Sequence, residues 1–274
     1  MSVSVSLVLP VLDGEAYLER TLPEAWAWLS QHGGPSELVV VDDGSRDATP
    51  QILERFGRAR SPDEGSRFVR IVNQVNRGKG YSVRRGLRAA TGALRLFSDA
   101  DLTYPPQSLT NVVRALRNGA EIAVACRVHE DSRYVVAPDF FRYICTRHNA
   151  GRIFNLLVRG TLATELRDTQ AGLKGFRAHV VDELFDSLTF DRFSFDVELL
   201  YLAKKRGYRI EEVPVTYLYR KEPSTIRFAR DTIDMCVDVL RIRLRDYGEG
   251  VTREDRRGDR DDSAPRSERS KQDP

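Results

Sequence analysis

Short aliphatic runs recur through the first half of the chain, at Val3 to Leu9, Glu37 to Val41, Phe68 to Val72, Ala93 to Phe97 and Glu121 to Ala125. Most are separated by segments long enough for a helix. Strands spaced this way are joined by right-handed βαβ crossovers, so the expected fold class is α/β: a mainly parallel, Rossmann-like sheet with helices on both faces. The spacers agree. Gly14 to Ser30 is rich in Ala, Leu and Glu, Arg46 to Phe56 is amphipathic, and Gly80 to Ala90 sets Val83, Leu87 and Ala90 on one face. Residues 1–127 therefore read as one nucleotide-binding unit, the donor half of a single domain spanning 1–250.

Beyond Arg127 the pattern changes to Arg-rich helical stretches at Asp139 to Arg159 and Thr225 to Arg245, with the strand-like EEVPVTYLY between them. This acceptor half, 128–250, ends in an amphipathic helix. Its stripe of Ile226, Ala229, Ile233, Val237, Leu240 and Leu244, flanked by Arg227, Arg230, Arg241, Arg243 and Arg245, is expected to pack on the core, with docking on a membrane surface as the second reading. In the earlier stretch Tyr143, Ile144, Phe154, Leu157 and Val158 are expected mostly to pack on the sheet. From Val251 to Pro274 only Val251 and Ala264 are aliphatic and seven basic residues face seven acidic ones, so a disordered tail is expected.

Lys and Arg total 43 against 40 for Asp and Glu, and a net charge of +3 gives no bulk attraction for nucleic acid. Cys126, Cys145 and Cys236 lack paired metal-ligand spacing, which implies reduced thiols in a cytoplasmic chain and neither zinc site nor disulfide framework. The start, MSVSVSLVLPVL, has no basic flank and alternates like a strand. No run approaches the roughly 18 apolar residues of a membrane span. The expected location is cytoplasmic, peripheral at the inner face of the membrane.

Chemistry concentrates at the ends of the strands. Asp99-Ala100-Asp101 follows the run Ala93 to Phe97 directly, at the carboxyl edge where open α/β sheets bind ligands. Two carboxylates one residue apart can hold Mg²⁺ or Mn²⁺, which would neutralise a departing diphosphate. Val41-Asp42-Asp43-Gly44-Ser45 also ends a strand; Asp43 can accept from the edge of a base, and the same loop can cap a helix beginning near Arg46. Asn76-Arg77-Gly78-Lys79-Gly80 has glycines for close backbone approach and Lys79 or Arg77 for phosphate charge, without the spacing of a P-loop.

These motifs, in this order behind Val8-Leu9-Pro10-Val11-Leu12-Asp13-Gly14-Glu15, resemble glycosyltransferase family 2, whose catalytic domain has the GT-A fold. Asp168-Thr169-Gln170-Ala171-Gly172-Leu173-Lys174-Gly175-Phe176, Phe195-Asp196-Val197-Glu198-Leu199-Leu200 and Glu212-Val213-Pro214-Val215 resemble its polyprenyl-phosphate branch, first the dolichyl-phosphate glucosyltransferases and next the dolichyl-phosphate mannose synthases. The resemblance spans residues 3 to 247. It implies a nucleotide-sugar donor, UDP-glucose by preference, a polyprenyl phosphate acceptor, and Mg²⁺ or Mn²⁺ as cofactor. It sets Pro10, Leu12 and Glu15 around the nucleoside, Asp43 on the base, and Asp99, Ala100 and Asp101 at the diphosphate and metal. Arg127 would face the acceptor phosphate, with Arg142, Arg147 and Lys174 as further contacts. The chain departs from the pattern at Leu12, where an aromatic is usual, at Thr103, where an amide or acid is usual, and at Glu222-Pro223-Ser224-Thr225 in place of Gly-Ser-Lys.

An anionic phosphate acceptor attacks without a strong base and inverts the anomeric centre in one displacement. A hydroxyl acceptor, the alternative within the family, requires a carboxylate base, for which Asp168, Asp196 and Glu198 are candidates. A nucleotidyltransferase and a non-catalytic nucleotide-sugar-binding protein are the more distant readings.

Overall fold

The computed structural model describes residues 4–31, 34–60, 65–136, 141–162, 164–219 and 228–247, without the side chains of 141–150 and 228–233. Strands β1 (Val5–Val11), β2 (Ser36–Asp42), β3 (Ser66–Val72), β4 (Leu94–Ser98) and β5 (Ile122–Cys126) fall on the five aliphatic runs. They join β7 (Leu173–Arg177) and β8 (Ile210–Pro214) in a seven-stranded sheet of order β3-β2-β1-β4-β7-β5-β8. All seven residues of β2 and all five of β5 are buried, as in strands covered on both faces, which is why Leu38 to Val41 and Ile122 to Cys126 read as unbroken apolar runs. The buried Glu37 of β2 is tolerated because it accepts from Ser6 Oγ at 2.6 Å, from the Thr91 amide and from Arg67.

Helices α1 (Glu15–Ser30), α2 (Thr49–Arg58) and α4 (Pro106–Arg117) contribute Leu18, Trp26, Leu53, Leu109 and Val112 to one core layer. On the other face α3 (Lys79–Ala89), α6 (Ala178–Leu184) and α7 (Phe195–Lys205) contribute Val83, Leu87, Val180 and Leu199. A third cluster joins α5 (Phe141–Leu162) and α8 (Phe228–Leu244) to α7 through Phe154, Val158, Leu162, Val197, Val239 and Ile242. Beside β5, β6 (Arg133–Val135) pairs in parallel with β9 (Thr216–Leu218).

The structure departs from the sequence reading at several points. Helix α2 begins at Thr49 rather than Arg46, because residues 45–48 are stitched to the β1–α1 turn: Asp13 N donates to Ser45 Oγ, Arg46 N to Asp13 Oδ1, and Ala48 N to Glu15 Oε2. Strand β7 runs antiparallel between β4 and β5, which sequence periodicity does not disclose. In α8 the core face is Val239 and Ile242, whereas Val237, Leu240 and Leu244 of the expected core stripe face outward. Phe154 and Val158 of α5 do pack inward, but Leu157, with Ile153 and Leu156, is exposed. The side chains of Tyr143, Ile144 and Ile233, the residues 222–225 and the tail 251–274 lie outside what is described. Cys126 and Cys236 are free thiols, and burial pushes the Cys126 thiol up to about 12.

Candidate active site

Between β1 and β4 the strand order reverses, and in open α/β sheets ligands bind beyond the carboxyl ends of the strands at such a point. Pro10, in β1, and Leu12, just after it, are both half-buried at that end of the strand. Glu15, exposed, closes the stitched turn of 45–48. From β2 comes Asp43, which is buried: Oδ1 accepts from Asn73 Nδ2 at 2.7 Å and Arg77 N at 2.9 Å, and Oδ2 from Gly78 N at 2.7 Å. It therefore fixes the loop 76–80 against the sheet. Gly78 has φ of 103°, a conformation other residues enter with strain, and a Cβ there would meet Asp191 O at 2.5 Å. The loop is thus pressed onto the segment preceding α7, to which Tyr81 N also donates at 3.0 Å.

Lys79, delivered by that loop, donates to Asp99 Oδ1 at 2.5 Å. Burial disfavours its charge, but Asp99 and then Asp196 outweigh this and hold its pKa up. Asp101 Oδ1 accepts from both Thr103 N and Thr103 Oγ1 at 3.0 Å, which orients the carboxylate. Burial, then the neighbouring Asp99, raises the Asp101 pKa despite those bonds. Leu102 completes the turn with φ of 50°, strain of the kind that active sites retain. Ala100 is packed in the core, so only its backbone remains for a ligand.

Two like-charged carboxylates held together, at a cost to the ionisation of Asp101, suit a hard divalent cation. Among the described residues no group of three or more His, Cys, Asp and Glu side chains converges, so Asp99 and Asp101 would leave the remaining positions to phosphate oxygens and water.

Strand β7 shapes Asp99. The Asp99 amide donates to Gly172 O at 3.0 Å, and a Cβ added at Gly172 would overlap Asp99 Oδ2. Gly172→Ala should therefore displace the carboxylate and lower transfer by about a hundredfold with a near-wild-type melting temperature, measured by initial rates and thermal unfolding. Sequence reasoning placed Gly172 in a motif without giving it a role at Asp99, and did not single out the buried Tyr104, whose hydroxyl accepts from Gly172 N at 3.2 Å. Only the pairing of β7 with β4 reveals them.

At the end of β5, Arg127 is clasped by Asp168. Its Nε and backbone N donate to Oδ2 at 2.7 and 3.0 Å, and its Nη2 to Oδ1 at 2.9 Å. Burial opposes the charge on each partner and the pairing outweighs it, so Arg127 is raised and Asp168 lowered. Arg127 remains partly exposed over the Tyr217 ring, with Nη1 outside this clasp.

Lys174, expected at the acceptor phosphate, is instead completely buried; its ammonium donates to Asp196 Oδ1 at 2.6 Å and Ala171 O at 2.8 Å. The reason is its place in β7, opposite Phe97 in the sheet. Burial lowers the Lys174 pKa and raises that of Asp196 despite their attraction. Glu198, also fully buried, accepts from Thr189 N, Thr189 Oγ1, Phe190 N and Tyr247 Oη. Arg142 and Arg147 lie in α5, but their side chains are among those not described.

The family model for glycosyl transferase family 2 matches residues 6–185. The chain belongs to that family. It is a glycosyltransferase of GT-A fold. It is 34% identical over 228 residues to a dolichyl-phosphate beta-glucosyltransferase from Drosophila melanogaster, covering 79% of this chain and 67% of that protein. With the human protein of the same description it shares 30% identity over 253 residues, 88% of this chain and 75% of the other. A mannosyltransferase from Pyrobaculum calidifontis, solved with GDP-Man and Mn²⁺, has the same fold with a TM-score of 0.59 at 20% identity, covering 91% of this chain and 66% of that one.

Proposed function

We propose that this glycosyltransferase moves a hexose, from UDP-glucose by preference, onto a polyprenyl phosphate of the dolichyl kind, with inversion and with Mg²⁺ or Mn²⁺ held by Asp99 and Asp101. The curated relatives named for dolichyl-phosphate glucosyl transfer support the acceptor class. The observation that carries the reading is that each carboxylate the sequence offers as a base is engaged by another group. A hydroxyl acceptor needs a base, yet Asp168 is spent on Arg127, Asp196 on Lys174, and Glu198 on the loop at 189–190. A phosphate monoester is largely ionised at neutral pH, with a second pKa of about 6, and needs only a cation to position it. Arg127 offers one, on a guanidinium that Asp168 holds still.

In this reading Pro10, Leu12 and Glu15 border the nucleoside and Asp43, through its remaining acceptor capacity and the loop it fixes, borders the base. The bound cation supplies charge neutralisation for the leaving diphosphate. Lys79 adds a second positive charge at Asp99, and Arg127 orients the attacking phosphate oxygen. Arg142 and Arg147 remain further acceptor contacts in the proposal. Residues 1–250 act as one catalytic domain with a separate tail at 251–274.

The acceptor's lipid nature also accounts for an unpartnered surface. No described helix is long and apolar enough to cross a membrane. Helices α5 and α8 pack together through inward faces and present Ile153, Leu156, Val237, Leu240 and Leu244 outward, beside the exposed Arg152, Arg159, Arg241, Arg243 and Arg245. Apolar side chains among arginines fit the headgroup region of an anionic leaflet, which supports the proposed peripheral location at the inner, cytoplasmic face. Leu156→Glu with Leu240→Glu is expected to weaken sedimentation with phosphatidylglycerol vesicles by about tenfold or more without lowering the melting temperature. Unchanged sedimentation would remove the membrane from the proposal.

The deciding assay follows radiolabel from UDP-glucose and GDP-mannose into organic-extractable product, with polyprenyl phosphate and Mn²⁺ or Mg²⁺. Lipid label from UDP-glucose is the expected result. Label from GDP-mannose alone would change the donor, and metal-dependent donor hydrolysis without lipid label would move the acceptor to a soluble hydroxyl.

A further inference from the structure

Arg127 is only as well placed as Asp168, and Asp168 stands in a loop without regular structure. Two side chains grip that loop. Glu212 of β8 accepts from Arg167 N at 2.8 Å and Asp168 N at 3.0 Å, fastening the loop to the sheet. The other grip is Asn155 of α5, 9% exposed. Its Nδ2 donates to Arg167 O at 2.7 Å and Leu166 O at 3.2 Å, and its Oδ1 accepts from Thr169 Oγ1 at 3.0 Å and Thr169 N at 3.3 Å.

Four bonds from one carboxamide enclose residues 166–169, with Asp168 in the middle. Both amide donors and both lone pairs are used, a pattern that only Asn or Gln can supply and that the shorter Asn fits here. An apolar residue would leave two carbonyls, an amide and a hydroxyl without partners; an aspartate would face its charge to the two carbonyls.

We propose that Asn155 is a positioning residue for the acceptor arginine: through its closure of the 166–169 loop it sets Asp168, and through Asp168 the direction of the Arg127 guanidinium. Its consequence for catalysis rests on the phosphate-acceptor reading; the physical coupling does not. Asn155 lies between Phe154, which packs inward, and Leu156, which is exposed, so the grip originates on the helix that carries the outward apolar face. The donor side, built on β1, β2 and β4, shares none of these bonds.

The test is Asn155→Ala in the full chain, read by amide hydrogen exchange and by kinetics. The Arg127 amide, which donates to Asp168 Oδ2, and the amides of 167–169 should exchange about tenfold faster, while amides of β1 and β4 keep their wild-type rates. The KM for polyprenyl phosphate should rise about tenfold at an unchanged KM for UDP-glucose. Faster exchange confined to Thr169, or equal rises in both KM values, would overturn the proposal. If Asn155→Ala does not fold, Thr169→Val removes one of the four bonds and is expected to give the same pattern at smaller amplitude. If the wild-type chain transfers no sugar to polyprenyl phosphate, the acceptor reading falls, and exchange at the Arg127 amide still decides the coupling.

Discussion

Asp101→Ala is expected to reduce sugar transfer by about a thousandfold, the scale on which removal of a main charge-stabilising group acts, and to do so without unfolding the protein. Asp101 is a stability liability: burial and Asp99 hold its pKa above the ordinary carboxylate value. A raised folded-state pKa means that stability present below the unfolded pKa is lost as pH rises through the folded one, so at neutral pH the ionised carboxylate works against the fold. Its removal should leave the melting temperature equal or higher, by thermal unfolding at pH 7. Thr103 loses two hydrogen bonds to Asp101 Oδ1, which limits the gain. Asp101→Asn keeps an oxygen for Thr103 and should be the more stable of the two variants while remaining inactive. An inactive Asp101→Ala that is also unfolded would make the residue structural, and an active one would remove it from the diphosphate site.

The strand framework was legible because strands of a sheet covered by helices are rich in aliphatic residues, and five such runs coincide with β1 to β5. The acidic pair was legible for a related reason: Asp99 and Asp101 follow one of these runs directly, and strand ends in this class of sheet are where ligands bind. Strand β7 was not, since Leu173–Arg177 contains a lysine and a glycine that become acceptable only through tertiary partners. Lys174 requires Asp196, and Gly175 requires the crowding of Val112 and Leu116 against its backbone. Without β7 there is no way to see that Gly172 adjoins Asp99, or that Lys174 lies beneath the site rather than in it.

Periodicity misled in α8 for a different reason. Helical spacing identifies a stripe but does not say which way it faces, and this helix carries two, Val239 with Ile242 inward and Val237, Leu240 and Leu244 outward. Arginine flanks were the better clue, because a stripe destined for the core has no need of them. Likewise Asp168, Asp196 and Glu198 were visible as carboxylates near the acceptor motifs, but their partners, not their spacing, decide that each supports another group.

Arg127 is where the acceptor reading is most exposed to refutation. Arg127→Lys retains one charge but cannot both span Asp168 and present a second edge to phosphate, so the KM for polyprenyl phosphate should rise about tenfold with the KM for UDP-glucose unchanged. Arg127→Ala should lower kcat/KM for the acceptor by about a thousandfold and should also destabilise, by about 3 kcal/mol, because it leaves the buried Asp168 without its partner. The pH dependence separates these two effects. In the wild type Asp168 is held below its ordinary value of 3.8, so its contribution is complete at neutral pH and is lost as pH falls through the depressed folded value. In Arg127→Ala burial acts without the guanidinium and drives the same carboxyl upward, so the sign reverses and acidification from neutral pH should recover stability. Adding Asp168→Asn to Arg127→Ala removes the buried charge, and should restore the melting temperature and abolish this pH dependence without restoring transfer. Recovery of transfer in the double variant would show that Arg127 serves only to neutralise Asp168, and the acceptor phosphate would have to be held elsewhere.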